Sequence, residues 1–214
     1  MTEDDKYLSP NWKEIKSTGL NLLYSSKFLN KKFADELLFR LDSEIKYFTG
    51  DLSRVKVFGK WHNIPRQQAA FGDEGLTYKF SSLSVPALPW PECLVKLRNE
   101  ISKCLGTDYN FVLVNRYRNG NDYIGEHRDD EKELDEEAGI VSISLGATRD
   151  FVLRHSETRK KGSASKISKV TVPLEHGSCL VMKWPTNHHW YHSLPRRKGC
   201  LHVRINLTFR KVKR

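Results

Sequence analysis

The chain has 214 residues, of which 38% are hydrophobic, and this length and composition suit one well-buried domain. No apolar run approaches the roughly 20 residues of a membrane helix, and the acidic, polar N-terminus is unlike a signal peptide. The 36 Lys and Arg residues outnumber the 26 Asp and Glu residues, and the net charge of +10 favours a polyanionic partner. The four cysteines form no C-x-x-C pair, so we expect reduced thiols in a soluble intracellular protein.

The first half of the chain predicts a short tail and two supporting helices. Residues 1–20 carry few apolar positions and are predicted to form an N-terminal tail or a loosely docked arm. Apolar residues then recur at three- or four-residue spacing, which predicts a helix that begins at Asn30 and stops at Gly50. A second helix is predicted between Pro91 and Gly106, because proline suits a first turn and glycine suits the position beyond the last turn.

The sequence after Asn110 alternates between apolar and polar residues with a period of two. The segments NFVLVNRY, IVSISLGATRDFVLRH, KVTVPLEHGSCLVMKW and HVRINLTFRKV follow this pattern. Such segments are typical of short antiparallel strands in a sandwich or barrel, so the predicted fold is mainly β with flanking helices. The segment 156–169 has five Lys or Arg residues and one Glu, which predicts an exposed, mobile and electropositive loop.

A candidate metal site begins in the segment GEHRDDE. His127 and Asp129 lie two residues apart, so on an extended strand their side chains leave the same face and can bind one ion. The later segment HHWYHSLP offers His188, His189 or His192 as a third ligand. Two histidines and one carboxylate are typical of a non-haem iron(II) site with open coordination positions. An isolated H-x-D tripeptide is also common in solvated surface segments, so the rest of the sequence has to support this interpretation.

The last predicted strand has one polar face and one apolar face. The polar face carries Arg204, Asn206, Thr208 and Arg210. Two arginines on one face can bind a small dicarboxylate, because guanidinium groups bind carboxylates through two hydrogen bonds. Asn115 and Tyr117 share one face of an earlier strand and can add hydrogen bonds to the same carboxylate. The alternatives are an edge strand with its polar face in water and an ordinary buried tyrosine.

Together, the segments NRY, GEHRDDE, HWYHSLP and RINLTFR closely resemble the AlkB family of DNA-repair dioxygenases. The segment VFGKWHNIPRQQAAFGDEGLTYKF resembles the branch of that family that acts on double-stranded DNA. The resemblance covers about residues 12–212 and implies a single dioxygenase domain over 21–214. Within it, residues 21–106 supply a helical support and a nucleotide-recognition lid, and residues 107–214 supply a double-stranded β-helix (jelly-roll) core. One departure from the branch is Phe71, where an aromatic residue with a hydroxyl is frequent.

The resemblance also implies a cofactor, two co-substrates and the residues that bind them. Iron(II), 2-oxoglutarate and dioxygen are implied, and the iron ligands are His127, Asp129 and His192. The implied 2-oxoglutarate contacts are Asn115, Tyr117, Arg204, Thr208 and Arg210. The implied substrate contacts are Phe58, Gly59, Lys60, Tyr78, Lys79, Phe80 and Asp130. Phe58 is then a wedge in the base stack, whereas ordinary core packing accounts for it without the resemblance.

The function implied is oxidative demethylation of 1-methyladenine and 3-methylcytosine in double-stranded DNA, with base flipping and release of formaldehyde, succinate and carbon dioxide. Basic residues in two loops are expected to meet phosphates: Arg159, Lys160, Lys161, Lys166, Lys169, Arg196, Arg197 and Lys198. The alternatives are the same chemistry on RNA or single strands, a non-catalytic damaged-DNA-binding module, and a small-molecule cupin. We further expect a monomer in the nucleus, away from membranes. Replication-associated protein partners are compatible with this function, and no motif identifies one.

Overall fold

The computed structural model describes residues 7–57, 59–80, 83–159 and 164–213, with the backbone alone for 57, 78–80 and 83–85. Three α-helices lie in the described residues: α1 (Lys31–Ser43), α2 (Glu92–Leu105) and α3 (Thr186–His189). The strands are β1 (Lys13–Ser17), β2 (Leu20–Ser25), β3 (Arg54–Val57), β4 (Lys60–Asn63), β5 (Gln67–Gly72), β6 (Thr77–Phe80), β7 (Leu83–Pro86), β8 (Phe111–Tyr117), β9 (Ile124–His127), β10 (Ile140–Gly146), β11 (Arg149–His155), β12 (Val170–Leu174), β13 (Ser178–Met182), β14 (Trp190–Leu194) and β15 (Arg204–Arg210).

Two antiparallel sheets form the centre of the domain. The larger sheet has seven strands in the order β1-β2-β13-β10-β15-β8-β5, and the smaller has four in the order β12-β11-β14-β9. The pairs β3–β4 and β6–β7 form two separate hairpins outside these sheets. This mainly β architecture with flanking helices confirms the predicted jelly-roll fold class. No helix in the described ranges has the length and apolarity to cross a membrane.

The two faces of the seven-stranded sheet are covered by different elements. On one face, Leu37 of α1 and Leu97 of α2 join a core with Ile143 of β10. On the other face, Leu113 of β8 packs in a second core with Leu153 of the four-stranded sheet. The largest group of buried polar side chains lies on this second side, between the two sheets, so the helices support it from behind.

The first helix is shorter than the periodicity predicts, and the second is as predicted. The Asn30 side chain accepts a hydrogen bond from the backbone N–H of Phe33 at 2.8 Å, which caps the start of α1. The helix ends at Ser43, so the predicted stop at Gly50 is wrong. Beyond the helix, the backbone N–H of Phe48 donates to the carbonyl of Gln68 in β5 at 2.7 Å, so Phe48 bonds to the larger sheet and not within a helix. After α2, Gly106 adopts the left-handed conformation (φ 67°) that favours glycine at a helix end.

The segment predicted as an N-terminal tail contains a strand of the larger sheet. Residues 13–17 form β1, which pairs along its full length with β2. Upstream, Leu8 bridges to Leu29, and the ring of Tyr7 lies 4.8 Å from that of Phe33. The tail prediction is therefore wrong for residues 7–20. Residues 1–6 lie outside the part of the chain that the structure describes. The strand has few apolar residues because it is an exposed edge strand, and this composition concealed it from sequence analysis.

The last strand, β15, occupies the centre of the larger sheet. It pairs with β10 on one side and β8 on the other, so the edge-strand alternative is wrong. All seven of its residues are buried. Ile205, Leu207 and Phe209 belong to the helix-side core. The intervening polar residues face the space between the sheets, as the period of two predicts.

Two other sequence features have a defined position. Phe71 lies on β5 in the helix-side core and is 5% exposed, so its apolar ring matches its surroundings. In the predicted basic loop 156–169, residues 156–159 form a 3₁₀ turn, and Lys166 and Lys169 are exposed. The cysteines Cys93, Cys104, Cys179 and Cys200 all have free thiols.

Candidate active site

Three side chains converge where β9 meets β14. His127 is the last residue of β9, and it lies opposite His192 of β14 in the antiparallel register. The two imidazole rings are therefore neighbours, with their centroids 4.3 Å apart. Asp129 follows β9 by two residues and completes a group that we call the His–Asp–His cluster. The register of β14 selects His192 from the three candidate histidines, since His188 and His189 lie in α3, outside the cluster.

The spacing of the His–Asp–His cluster fits a single metal ion. The Oδ1 atom of Asp129 is 3.7 Å from Nε2 of His127 and 3.9 Å from Nε2 of His192. All three candidate ligand atoms lie within 4.8 Å of one another. Metal–ligand bonds of about 2.1 Å at right angles place neighbouring ligand atoms about 3 Å apart. Side-chain movements on the order of 1 Å therefore bring the three atoms onto one face of an octahedral ion.

The protonation states of the His–Asp–His cluster suit a divalent cation. Nδ1 of His127 lies 2.9 Å from the carbonyl oxygen of Gly125, and an N–H donated there leaves the Nε2 lone pair for a metal. Burial lowers the pKa of His192 to about 3, so this imidazole is neutral at pH 7. Burial alone would raise the pKa of Asp129, but the nearby Arg210 guanidinium holds it well below its ordinary value. The cluster thus offers the neutral imidazole of His192, the Nε2 atom of His127 and one carboxylate.

A cavity of about 520 Å³ opens beside the His–Asp–His cluster, between the two sheets. Its polar wall includes Arg66, Asn115, Tyr117, Ser142, Arg204, Asn206, Thr208 and Arg210. Its apolar wall includes Leu113, Ile124, Phe151, Leu174, Met182 and Leu194. All five residues predicted to contact 2-oxoglutarate therefore line the same cavity as the three predicted metal ligands. The sequence placed them on separate segments, and the pairing of β8, β15 and β10 brings them together.

The two arginines of β15 lie at opposite ends of the polar wall. Nη2 of Arg210 donates to Oδ2 of Asp129 at 2.8 Å, which places this guanidinium at the metal end. Nη2 of Arg204 donates to Oγ of Ser144 at 2.8 Å. Its Nε and Nη1 are buried and have no hydrogen-bond partner among the residues that the structure describes. Burial lowers the pKa of Arg204 to about 10, but this value is still well above 7, so the guanidinium is a cation at pH 7. A buried cation with two unused donors fits a carboxylate group of a small diacid.

Sequence analysis missed several polar residues that support this wall. Oδ1 of Asn115 accepts hydrogen bonds from Nε of Arg66 at 2.7 Å and from Nε2 of Gln68 at 3.0 Å. Oγ of Ser142 accepts from Nδ2 of Asn206 at 2.7 Å. The segment IVSISLG contained a usable signal, because its two serines alternate with large apolar residues and so share the inner face of β10. Arg66 and Gln68 had no such signal, since their role depends on the pairing of β5 with β8.

The residues predicted to contact DNA are only partly described. Asp130 lines the cavity and pairs with Arg128, their nearest N and O atoms 3.1 Å apart. Phe58 lies outside the described residues, and Tyr78, Lys79 and Phe80 are described by the backbone of β6 alone. Gly59, between β3 and β4, has a φ of 78°, a left-handed conformation that glycine adopts without strain. Lys60, at the start of β4, is exposed.

The predicted phosphate-binding residues differ in their surroundings. Arg196, Arg197 and Lys198 are exposed in the loop between β14 and β15. Arg159 is also exposed, but Glu126 lies 3.1 Å from its Nε and offsets part of its charge. Lys160 and Lys161 lie outside the described residues.

Comparison with known proteins agrees with this geometry. Residues 21–210 match the family described as the 2OG-Fe(II) oxygenase superfamily. The chain is 52% identical over 203 residues to the DNA oxidative demethylase ALKBH2 of Homo sapiens, covering 95% of this chain and 77% of the human protein. The chain belongs to the AlkB family of 2OG-Fe(II) oxygenases. This AlkB-family chain is also 50% identical over 204 residues to ALKBH2 of Mus musculus, covering 95% and 85% of the two proteins.

A solved structure supports the fold of the AlkB-family chain. The structure of OsALKBH1 superposes with a TM-score of 0.58 at 17% sequence identity, covering 94% of this chain and 100% of that chain. The comparison shows a shared fold. Family membership confirms the predicted enzyme class: the AlkB-family chain is an iron(II)- and 2-oxoglutarate-dependent dioxygenase. Dioxygen is the remaining co-substrate of this class.

Proposed function

We propose that this enzyme repairs DNA by oxidative demethylation of N-alkylated bases, 1-methyladenine and 3-methylcytosine, in double-stranded DNA. The observation that carries the proposal is the cavity of about 520 Å³, in which the His–Asp–His cluster adjoins a wall that carries the two buried arginines of β15. The relatives that share half of its sequence are named DNA oxidative demethylases, which supports DNA as the substrate.

Each wall of the cavity has a role in this proposal. His127, Asp129 and His192 would hold iron(II), and the bound metal with dioxygen would couple the oxidation of 2-oxoglutarate to succinate and carbon dioxide to hydroxylation of the N-methyl group. Loss of formaldehyde from the hydroxymethyl group would then restore the unmodified base. The 2-oxoglutarate molecule is held by Asn115, Tyr117, Arg204, Thr208 and Arg210. The apolar wall on the opposite side excludes water from the reacting groups.

The substrate base has to leave the helical stack to reach a cavity between two sheets. The β3–β4 hairpin supports such a step, because every residue of β4 is exposed and Trp61 retains 48% exposure. In the proposal, Phe58 fills the gap left by the base, and Gly59 and Lys60 belong to the same hairpin contact with DNA. The proposal assigns Tyr78 and Phe80 to one side of the flipped base and His127 to its other side. Lys79 is assigned to a further contact with the DNA, and Asp130 to the edge of the base.

Binding to the duplex backbone is assigned to the exposed basic loops. The net charge of +10 and the exposure of Arg196, Arg197, Lys198, Lys166 and Lys169 support this assignment. Neutralisation of phosphates releases counterions, so the affinity for DNA is expected to fall steeply as the salt concentration rises. Arg159 contributes less in this proposal, because Glu126 already pairs with it.

Formaldehyde release from matched oligonucleotides tests the proposal. We expect release from a duplex that carries one 1-methyladenine, a slower rate from the same strand without its complement, and none from the unmethylated duplex. A faster rate on the single strand or on RNA would assign the enzyme to that substrate instead. Binding of the methylated duplex without formaldehyde or succinate release would indicate a non-catalytic damage-binding module.

We also propose that the enzyme acts as a monomer in the nucleus. A single cavity contains every predicted metal and co-substrate contact, so one chain supplies a complete site. Sedimentation of the purified protein with and without duplex DNA tests the oligomeric state, and imaging of a fluorescent fusion tests the location. A stable dimer or exclusion from the nucleus would contradict these two statements.

A further inference from the structure

A further buried arginine, Arg149, lies behind the polar wall of the cavity. Arg149, the first residue of β11, is 1% exposed and does not line the cavity itself. Its guanidinium carbon lies 5.7 Å from the ring centroid of Tyr117, and that of Arg204 lies 5.2 Å from the same ring. Tyr117 is thus in contact with two buried cations, of which one faces the co-substrate pocket and the other does not.

Arg149 is bound to two loops through backbone carbonyl oxygens. Its Nη2 donates to the carbonyl of Asp122 at 2.8 Å and to that of Pro195 at 2.6 Å. Its Nη1 donates to the carbonyl of Asn119 at 3.3 Å. Asn119 and Asp122 belong to loop 118–123, which follows Tyr117. Pro195 begins loop 195–203, which leads to Arg204.

The two loops also bond directly to each other. The backbone N–H of Arg197 donates to the carbonyl of Gly120 at 2.9 Å, and the N–H of Gly120 donates to the carbonyl of Cys200 at 2.7 Å. A Cβ atom added at Gly120 would lie 1.9 Å from the carbonyl oxygen of Arg197, so the backbones are in close contact. Each loop joins a predicted metal ligand to a predicted 2-oxoglutarate contact. One runs from Tyr117 towards His127, and the other runs from His192 towards Arg204.

We propose that Arg149 is a positioning residue for 2-oxoglutarate. Arg149 holds both loops so that Tyr117 and Arg204 face the carboxylate of 2-oxoglutarate that lies farther from the metal ligands. This inference rests on the co-substrate site proposed above. Three carbonyl groups from two loops converge on one planar guanidinium, an arrangement that a single ammonium group reproduces only in part. The guanidinium groups of Arg149 and Arg204 lie on the same tyrosine ring and repel each other, and a carboxylate bound to Arg204 offsets this repulsion. Bound 2-oxoglutarate therefore makes the buried position of Arg149 more favourable. Because Arg149 bonds to both loops in that position, 2-oxoglutarate also stabilises the contact between the loops.

The test measures binding of 2-oxoglutarate by calorimetry, with manganese(II) in place of iron(II) so that no turnover occurs. We expect Arg149→Met to raise the Kd by about tenfold, the equivalent of one lost charge-assisted hydrogen bond. Arg149→Lys should raise it less, because an ammonium group retains part of the bonding. The control is Arg154→Met on the same strand, whose exposed side chain pairs with Glu126 at 3.3 Å, and its Kd should match the wild type.

Turnover kinetics separate a positioning role from a purely structural one. The KM for 2-oxoglutarate should rise with the Kd in Arg149→Met, while kcat at saturating 2-oxoglutarate and the affinity for manganese(II) stay near the wild-type values. A folded Arg149→Met variant with the wild-type Kd would overturn the proposal, and so would a loss confined to kcat. The calorimetry needs no methylated DNA, so failure of the proposed repair activity would leave its result unaffected.

Hydrogen exchange of the wild-type protein provides a measurement that does not depend on the variants folding. We expect manganese(II) with 2-oxoglutarate to slow exchange of the backbone amides of Gly120 and Arg197, which form the bonds between the two loops. The amide of Glu44, which bonds to the carbonyl of Arg40 at the end of α1, is the internal control. Unchanged exchange at both loop amides in the presence of bound 2-oxoglutarate would overturn the proposal.

Discussion

Replacement of Arg204 by methionine should weaken 2-oxoglutarate binding and leave the protein at least as stable as before. The guanidinium is 2% exposed, one donor bonds to Ser144 at 2.8 Å, and two donors have no partner among the described residues. Methionine fills a similar volume without a charge. The substitution therefore removes a ligand contact and a buried cation at the same time.

The size of each effect follows from these contacts. Two charge-assisted hydrogen bonds to a carboxylate contribute about 3 kcal/mol at the lower end of their range, which corresponds to a Kd for 2-oxoglutarate about 100-fold higher. Burial lowers the pKa of Arg204 to about 10, which corresponds to a cost of about 3 kcal/mol for keeping the cation buried without a bound carboxylate. The variant regains this cost and loses the bond from the charged guanidinium to Ser144, about 2 kcal/mol. Without ligand, its free energy of unfolding should therefore equal or exceed that of the wild type.

The assay combines calorimetry with thermal unfolding, both in manganese(II). Arg204→Met should show the weaker Kd together with an equal or higher Tm in the absence of 2-oxoglutarate. A 2-oxoglutarate concentration that saturates the wild type should raise the Tm of the wild type and leave the Tm of the variant almost unchanged. The reason is that the stabilisation grows with the logarithm of the ligand concentration divided by the Kd, and the Kd of the variant is much higher. Arg98→Met is the control and should keep the wild-type Kd, because Arg98 lies on α2, away from the cavity, where it forms an ion pair with Asp73.

Two results would refute this reasoning. A Kd within about fivefold of the wild type in a folded variant would mean that the two free donors do not bind the co-substrate, since even one charge-assisted bond contributes more. A large fall in Tm without ligand would mean that the guanidinium is mainly a structural contact for Ser144 and Tyr117.

Three other substitutions test the remaining parts of the site. Asp129→Ala should abolish iron-dependent formaldehyde release and leave the circular dichroism spectrum unchanged; normal turnover would remove this residue from the metal site. Phe58→Ala should lower duplex repair more than single-strand repair, with Phe39→Ala, at an exposed phenylalanine of α1, as the control; equal losses on both substrates would contradict a wedge. Lys198→Ala should reduce the slope of log K for duplex binding against log salt by about 1, whereas the exposed Lys32→Ala should not. An unchanged slope at Lys198 would exclude a phosphate contact there.

The polar and apolar faces of the strands were predictable because side-chain direction alternates along any strand. The sequence of β15 was enough to separate Ile205 and Leu207 from Arg204 and Thr208. Its position at the centre of the sheet was not predictable, since an edge strand with a wet polar face has the same pattern. The β1 strand was missed for a related reason, because an exposed edge strand needs almost no apolar residues.

The candidate site was predictable where its residues form short local motifs. The H-x-D spacing identified His127 and Asp129, but the spacing of HHWYH left three histidines open as the third ligand. The choice of His192 depends on its register opposite His127, which is a tertiary contact. Arg149 had no local signal, since the carbonyl of Asp122 lies 27 residues away in sequence and that of Pro195 lies 46 residues away.

The central place of β15 limits how this enzyme can change during evolution. Each residue of the strand belongs either to the helix-side core or to the cavity, and neighbouring residues belong to different ones. An insertion or deletion of one residue would turn the two buried arginines into the core and the apolar residues into the cavity. Single substitutions at alternate positions can therefore change the co-substrate preference and leave the core intact. An insertion or deletion in this strand disrupts the core and the cavity together.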